Sequence, residues 1–207
     1  MNFDQPQNNT ENLLKNSLES IENSNLENEN KLELALLMLD KKQGVQLGDF
    51  KIINSENEKE IIIKEFSEKL LNIIKTLEAI GLKHEIVKEL SEDNGIIGFS
   101  VLVSKETNTL DKFVKADKED DDKTFGLIVG YPASAVDAYG TDKALNIEQE
   151  LPKAELEKLH SEGVLPFLLF MPSKEHWNEE LDWARENQRL IKEKTPKLYK
   201  ELNQTRE

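Results

Sequence analysis

Hydrophobic positions along the chain change period from segment to segment, and each period predicts an element. Leu32, Leu34, Ala35, Leu36, Leu37, Met38 and Leu39 are so dense that a helix there must bury more than one side. Lys41, Lys42 and Gly44 end it, the lysines standing where the negative helix terminus favours cations. Val45 to Ile53 has strand composition, interrupted by Gly48. Ser55 and Glu58 then form a capping box that opens a helix with Ile63, Phe66, Leu70, Ile73, Ile74 and Leu77 on one face. Gly81 supplies its left-handed end.

Leu82 to Leu90 alternates, with Leu82, His84, Ile86 and Leu90 on the face to be buried. The turn from Ser91 to Gly95 contains Asn94-Gly95, which accepts positive φ, so Ile96 to Val103 is expected to return as the second strand of a hairpin. Lys105 to Asp122 is polar, ends in a run of acids and lacks the glycine and spacing of a calcium loop, which predicts a solvated loop. For Phe125 to Val129 the pattern leaves a buried strand and a helical turn equally open. Pro132 suits a first helical position, and Ala133 to Tyr139 is expected as a compact helix ended by Gly140. A helix from Pro152 to Gly163 precedes an apolar strand, Val164 to Met171, which Pro166 confines to an edge or a strand start. Ser173 is expected to cap a long final helix with acids early and Arg185, Arg189, Lys192 and Lys194 late. Thr195-Pro196 interrupts it, and a short helix carrying Leu198, Tyr199 and Leu202 follows.

Between residues 45 and 171 the expected order is strand, helix, strand, strand, helices, strand. That is the βαββαβ order of the ferredoxin-like split motif, so the expected fold is α+β, with an added N-terminal helix and a long C-terminal helix. Residues 31–207 are expected to form one domain. Residues 1–30 carry six acids, one lysine and nine asparagines with little apolar cover, which predicts a disordered acidic tail. Leu14, Leu18 and Ile21 do stand at i, i+4 and i+7, the spacing of an amphipathic helix that would need a groove on a partner.

Composition narrows the function. The formal net charge of −14 disfavours nucleic acid and an anionic membrane surface as partners. Residues 1–30 hold −5 of that charge and residues 116–122 hold −4, so the remaining surface is nearly balanced. With no cysteine the chain has no disulfide, thiolate nucleophile or Cys-containing zinc site. Nothing in residues 1–30 reads as a secretory signal and no run of eighteen apolar residues occurs, so a cytoplasmic setting is expected.

Candidate chemistry is sparse. Ser134 follows Gly130 near a helix start but lacks the G-x-S-x-G frame and a nearby histidine, so capping or packing is its expected role. His84 reads as a strand histidine and His160 as a helix C-terminal one. His176 can meet Glu179 or Glu180 across one helical turn, with Trp177 as the anchor beside it, but two ligands do not make a metal site. No glycine-rich phosphate loop occurs, and no cofactor or metal is expected.

Three segments carry a resemblance: Leu34 to Lys42, Phe125 to Tyr139, and Ser173 to Leu181 with Pro196 to Tyr199. They resemble a family of small proteins from bacteria with reduced genomes that has no assigned activity. The resemblance implies that Gly130-Tyr131-Pro132 and His176-Trp177 mark the region of interest. The expected function is a non-enzymatic binding or interaction module, for a protein partner or a small ligand, with Tyr131, Ser134, Asp137, His176, Trp177 and Glu180 lining one cleft. The alternative is a small hydrolase-type or metal-assisted enzyme that uses His176 with Asp137 or Glu180 as an acid/base pair.

Overall fold

A computed structural model describes residues 6–204 except Asn54 and Asn94. The first five residues of the expected tail and the centre of the expected hairpin turn therefore lie outside the described residues. The fold is α+β, with ten α-helices and one three-stranded antiparallel sheet among the described residues. In chain order the elements are α1 (Pro6–Glu22), α2 (Asn28–Met38), β1 (Gly44–Ile52), α3 (Glu56–Ile80), β2 (Lys83–Asp93), β3 (Ile96–Ser104), α4 (Thr107–Lys118) and α5 (Asp122–Ile128). They continue with α6 (Ala133–Ala138), α7 (Ile147–Glu150), α8 (Lys153–Glu162), α9 (Trp177–Lys194) and α10 (Pro196–Gln204).

The strand order is β1-β3-β2. α3 covers one face of this sheet: Phe66, Ile73 and Leu77 pack on Val45, Leu47, Phe99, Val101 and Val103, and the Phe66 and Phe99 rings meet edge to face at 5.5 Å. As the sequence predicts, the Ser55 hydroxyl accepts the Glu58 N–H at the start of α3, and Gly81 ends the helix at φ +73°. α4 covers the other face, with Leu110 and Phe113 against Leu102 and, from α5, Ile128. A second core lies between α1, α2, α8, α9 and α10, built on Leu36, Phe167, Ala184, Ile191 and Leu198. α2 is apolar on several sides because it serves both cores: Leu34 and Leu37 face the sheet, while Leu32, Ala35 and Leu36 face the C-terminal helices.

Three expectations are corrected. Residues 6–30 are not a disordered tail: α1 buries Leu18 and Ile21, and the Glu22 carboxylate accepts the N–H groups of Lys197 and Leu198 at 2.9 and 3.1 Å, capping α10. The groove that the i, i+4, i+7 spacing called for is supplied by the same chain, so α1 needs no core of its own. Lys105 to Asp122 is not a loop; α4 occupies most of it and buries Leu110, Phe113 and Ala116, three apolar positions one helical turn apart. Val164 to Met171 is not a strand but a single 3-10 turn, Leu165–Phe167, followed by irregular chain. Its apolar character comes from enclosure by the C-terminal core, where Val164 and Phe167 are fully buried, and Pro166 fits the turn start. With that strand gone, the four-stranded βαββαβ sheet is not formed among the described residues. The segment left open, Phe125 to Val129, is helical for most of its length.

Candidate functional site

The site is organised by the turn between α5 and α6. Gly130 sits at φ +79°, and a Cβ there would lie 2.6 Å from the Lys41 carbonyl oxygen, so this turn presses directly on the end of the α2–β1 connection. The Gln43 N–H donates to the Ile128 carbonyl at 3.0 Å and fixes the same contact. Tyr131 is thereby laid over Lys42, whose Nζ stands 5.1 Å from its ring centre and 5.9 Å from that of Trp183. Lys42 is fully buried and ion-paired to Glu33 at 2.8 Å. Burial pushes the Lys42 ammonium below its ordinary pKa, and Glu33 partly offsets the shift. The Tyr131 phenol is pushed well above its ordinary value, chiefly by burial, with Glu33 and Tyr139 adding to it.

Beside this turn lies an open cavity of about 630 Å³ between α4, α5, α6 and residues 168–171. Its walls are aromatic and apolar, with Phe125, Tyr131, Tyr139, Phe170 and Met171 among them, and Asp117, Asp120, Asp121 and Asp122 form one rim. Gly126 makes the α5–α6 wall thin: a Cβ there would stand 2.8 Å from a Val136 methyl. Tyr131 meets Phe170 at 5.3 Å, and Phe170 meets Trp183 edge to face at 5.3 Å, which ties the wall to α9. Asp121 also caps α5 by accepting the Thr124 N–H, and hydrogen bonds from the Thr124 side chain and then from this N–H hold its carboxyl below the ordinary range. Tyr139 is 57% exposed at the mouth.

A second cavity, of about 680 Å³, is lined by Ser134, Asp137, Asp142, Ser173 and His176. Its floor is held by Glu180, which is buried and accepts three hydrogen bonds: from Ser134 Oγ at 2.5 Å, the Ser173 N–H at 2.6 Å and Ser173 Oγ at 2.9 Å. Ser173 is joined to residues 143–145 by an antiparallel bridge to Ala144, and its hydroxyl accepts the His176 N–H at 3.0 Å. Ser173 therefore closes the turn before α9, while His176 takes the N-cap position that the sequence reading gave to Ser173. The His176 ring pairs with Glu179 at 3.0 Å, and Asp137 pairs with Lys123 at 2.7 Å.

The six residues expected in one cleft are thus divided. Ser134, Asp137 and His176 line the second cavity with Glu180 behind them; Tyr131 lines the first; Trp177 packs half-buried into the C-terminal core. His84 stays on the sheet with its ring nitrogen 3.4 Å from the Leu82 carbonyl, and His160 is exposed in the last turn of α8. Among the described residues no three histidine or carboxylate side chains converge to hold a metal ion. No described helix is long and apolar enough to cross a membrane. Sequence reasoning did not connect the acidic residues at 117–122 with an aromatic cavity, because Tyr139, Phe170 and Met171 reach it from segments without a shared motif. No protein family, curated protein or solved structure matches the chain.

Proposed function

We propose that the protein is a non-catalytic binding module whose ligand occupies the cavity beside Tyr131, and that the ligand is an organic cation with an apolar or aromatic body. The observation that carries this reading is the pairing, in one open cavity, of aromatic walls with an aspartate rim. Aromatic faces attract cations as well as apolar groups, and the rim carboxylates add Coulombic attraction that an anion would feel as repulsion. The polar groups of the second cavity support it from the other side. Ser134, Glu180 and Ser173 are committed to one another, and Asp137 and His176 each pair with a neighbour.

A second reading, hydrolase-type or metal-assisted chemistry by His176 with Asp137 or Glu180, draws on Ser134, Asp137 and His176 sharing one cavity. In that reading His176 must work with Asp137 or Glu180, whereas its ring meets Glu179, Glu180 is taken up by Ser134 and Ser173, and Asp137 pairs with Lys123. The experiment is calorimetric titration with three probes of one shape: phenethylammonium, 2-phenylethanol and phenylacetate. The binding reading expects affinity to fall in that order, and Asp117→Asn/Asp120→Asn to remove the advantage of the cation while leaving the alcohol unchanged. Equal affinity for cation and anion contradicts it, and ester turnover that disappears in His176→Ala favours the second reading.

A further inference from the structure

The three-stranded sheet ends in two edges, β1 and β2. β2 is interrupted by register shifts between Ile86 and Lys88 and between Lys88 and Ser91, and such irregularities turn an edge away from further pairing. β1 runs against β3 from Gly44 to Ile52 with no shift and contains no proline. The Ile53 N–H donates to the Gly95 carbonyl at 2.8 Å, so the antiparallel alternation turns the N–H and C=O groups of Gly48, Phe50 and Ile52 away from β3. The Phe50 N–H confirms this direction: its acceptor is the side chain of its own neighbour, Asp49 Oδ1, at 2.8 Å. No other strand among the described residues pairs with this edge. Phe50 and Ile52 are 73% and 66% exposed beside it.

We propose that β1 pairs antiparallel with β1 of a second copy of this chain, across a two-fold axis through Phe50, joining two sheets into one of six strands. The sequence of β1 is self-complementary in that register. Phe50 faces its own mate, and each Ile52 stands opposite Gly48, which has no side chain to oppose it. Asp49 stands opposite Lys51 twice, at non-hydrogen-bonded positions, where cross-strand side chains are closest. Those charges are already members of ion pairs within the chain, Asp49 with Lys69 at 2.6 Å and Lys51 with Glu65 at 2.9 Å. Pairing therefore extends two existing pairs into an alternating row and buries no isolated charge. The backbone groups of Phe50 exchange bonds with their symmetry mates, and the Phe50 carbonyl of the mate replaces Asp49 Oδ1 as acceptor. A foreign strand would meet the same edge without this match, which is why a second copy is the occupant.

The test is sedimentation equilibrium on the full chain from about 10 μM to about 1 mM, a range suited to a small interface. Salt is held near 0.15 M, where a Debye length of about 8 Å mutes the repulsion between two acidic chains. The average mass is expected to rise from the 23.8 kDa monomer towards twice that value. Phe50→Glu, an exposed change that leaves the core intact, is expected to weaken the dimer at least about tenfold by setting like charges face to face. Because the chain has no cysteine, single substitutions report the register. Under mild oxidation, Asp49→Cys mixed with Lys51→Cys should cross-link far more than either variant alone. A constant monomer mass, a Phe50→Glu dimer as tight as the parent, or equal cross-linking of single variants and mixture overturns the proposal.

Discussion

Glu180→Ala separates a structural carboxylate from a catalytic one. Glu180 is buried and holds three donors from two segments, Ser134 on α6 and the backbone and side chain of Ser173. Hydrogen bonds to a charged group are worth about 1.5 to 3 kcal/mol each, and a buried donor left without an acceptor costs about 1 to 3 kcal/mol. The three bonds share one carboxylate and do not add fully, so the expected loss is about 3 to 5 kcal/mol. For a chain of this length 1 kcal/mol moves the melting point by about 2 to 4 °C, giving a drop of about 6 to 20 °C. Glu179→Ala is the control: Glu179 is exposed and, among the described residues, its side chain pairs only with the His176 ring, so its loss should stay within about 0.5 kcal/mol. Urea and thermal unfolding followed by circular dichroism measure both. Equal stability of the two variants refutes the reasoning and returns Glu180 to the pool of catalytic candidates, because functional groups commonly stand at a cost to stability.

Three further outcomes are expected. Ile21→Ala should cost about 2 to 5 kcal/mol of unfolding free energy, whereas Leu13→Ala on the exposed side of α1 should fall within about 0.5 kcal/mol; equal, negligible effects would restore the tail reading. Gly130→Ala forces a Cβ at positive φ against the Lys41 carbonyl and should cost about 2 to 4 kcal/mol in denaturant unfolding, with a loss of affinity for phenethylammonium as Tyr131 moves. The Glu186 carboxyl, held down to about 2 chiefly by its hydrogen bonds to Arg189 and further by Lys41, should titrate near that value by NMR and rise toward the ordinary range in Arg189→Ala, with Lys41 keeping part of the shift. Because its folded pKa lies below the ordinary 4.5, the stability it contributes is complete above 4.5 and is lost as pH falls through about 2.

Elements with two agreeing local signals were legible in the sequence. α3 combines an apolar face with the Ser55 cap and the Gly81 terminus, and β3 begins right after the Asn94-Gly95 pair of the sequence, so each appears where expected. α4 was hidden because its apolar side is narrow and acids dominate the count around it. The run from Val164 to Met171 misled because enclosure among helices and burial in a sheet demand the same apolar composition, and Val164 is its only β-branched residue. In the site, the pairing of His176 with Glu179 was legible from their spacing along one helix. The bond from Ser134 to Glu180 spans 46 residues with no shared motif, and the presence of Asp120 and Phe170 around one cavity depends on how distant segments pack. Local pattern carries no record of either.

The most direct test of a cation site beside Tyr131 is amide chemical-shift mapping of the full chain during titration with phenethylammonium. Saturable shifts are expected at Gly126, Tyr131, Ala135, Tyr139 and Met171, around the first cavity, with Ser173 and His176 unmoved. Shifts centred on Ser173 and His176, or none that saturate, would contradict the account.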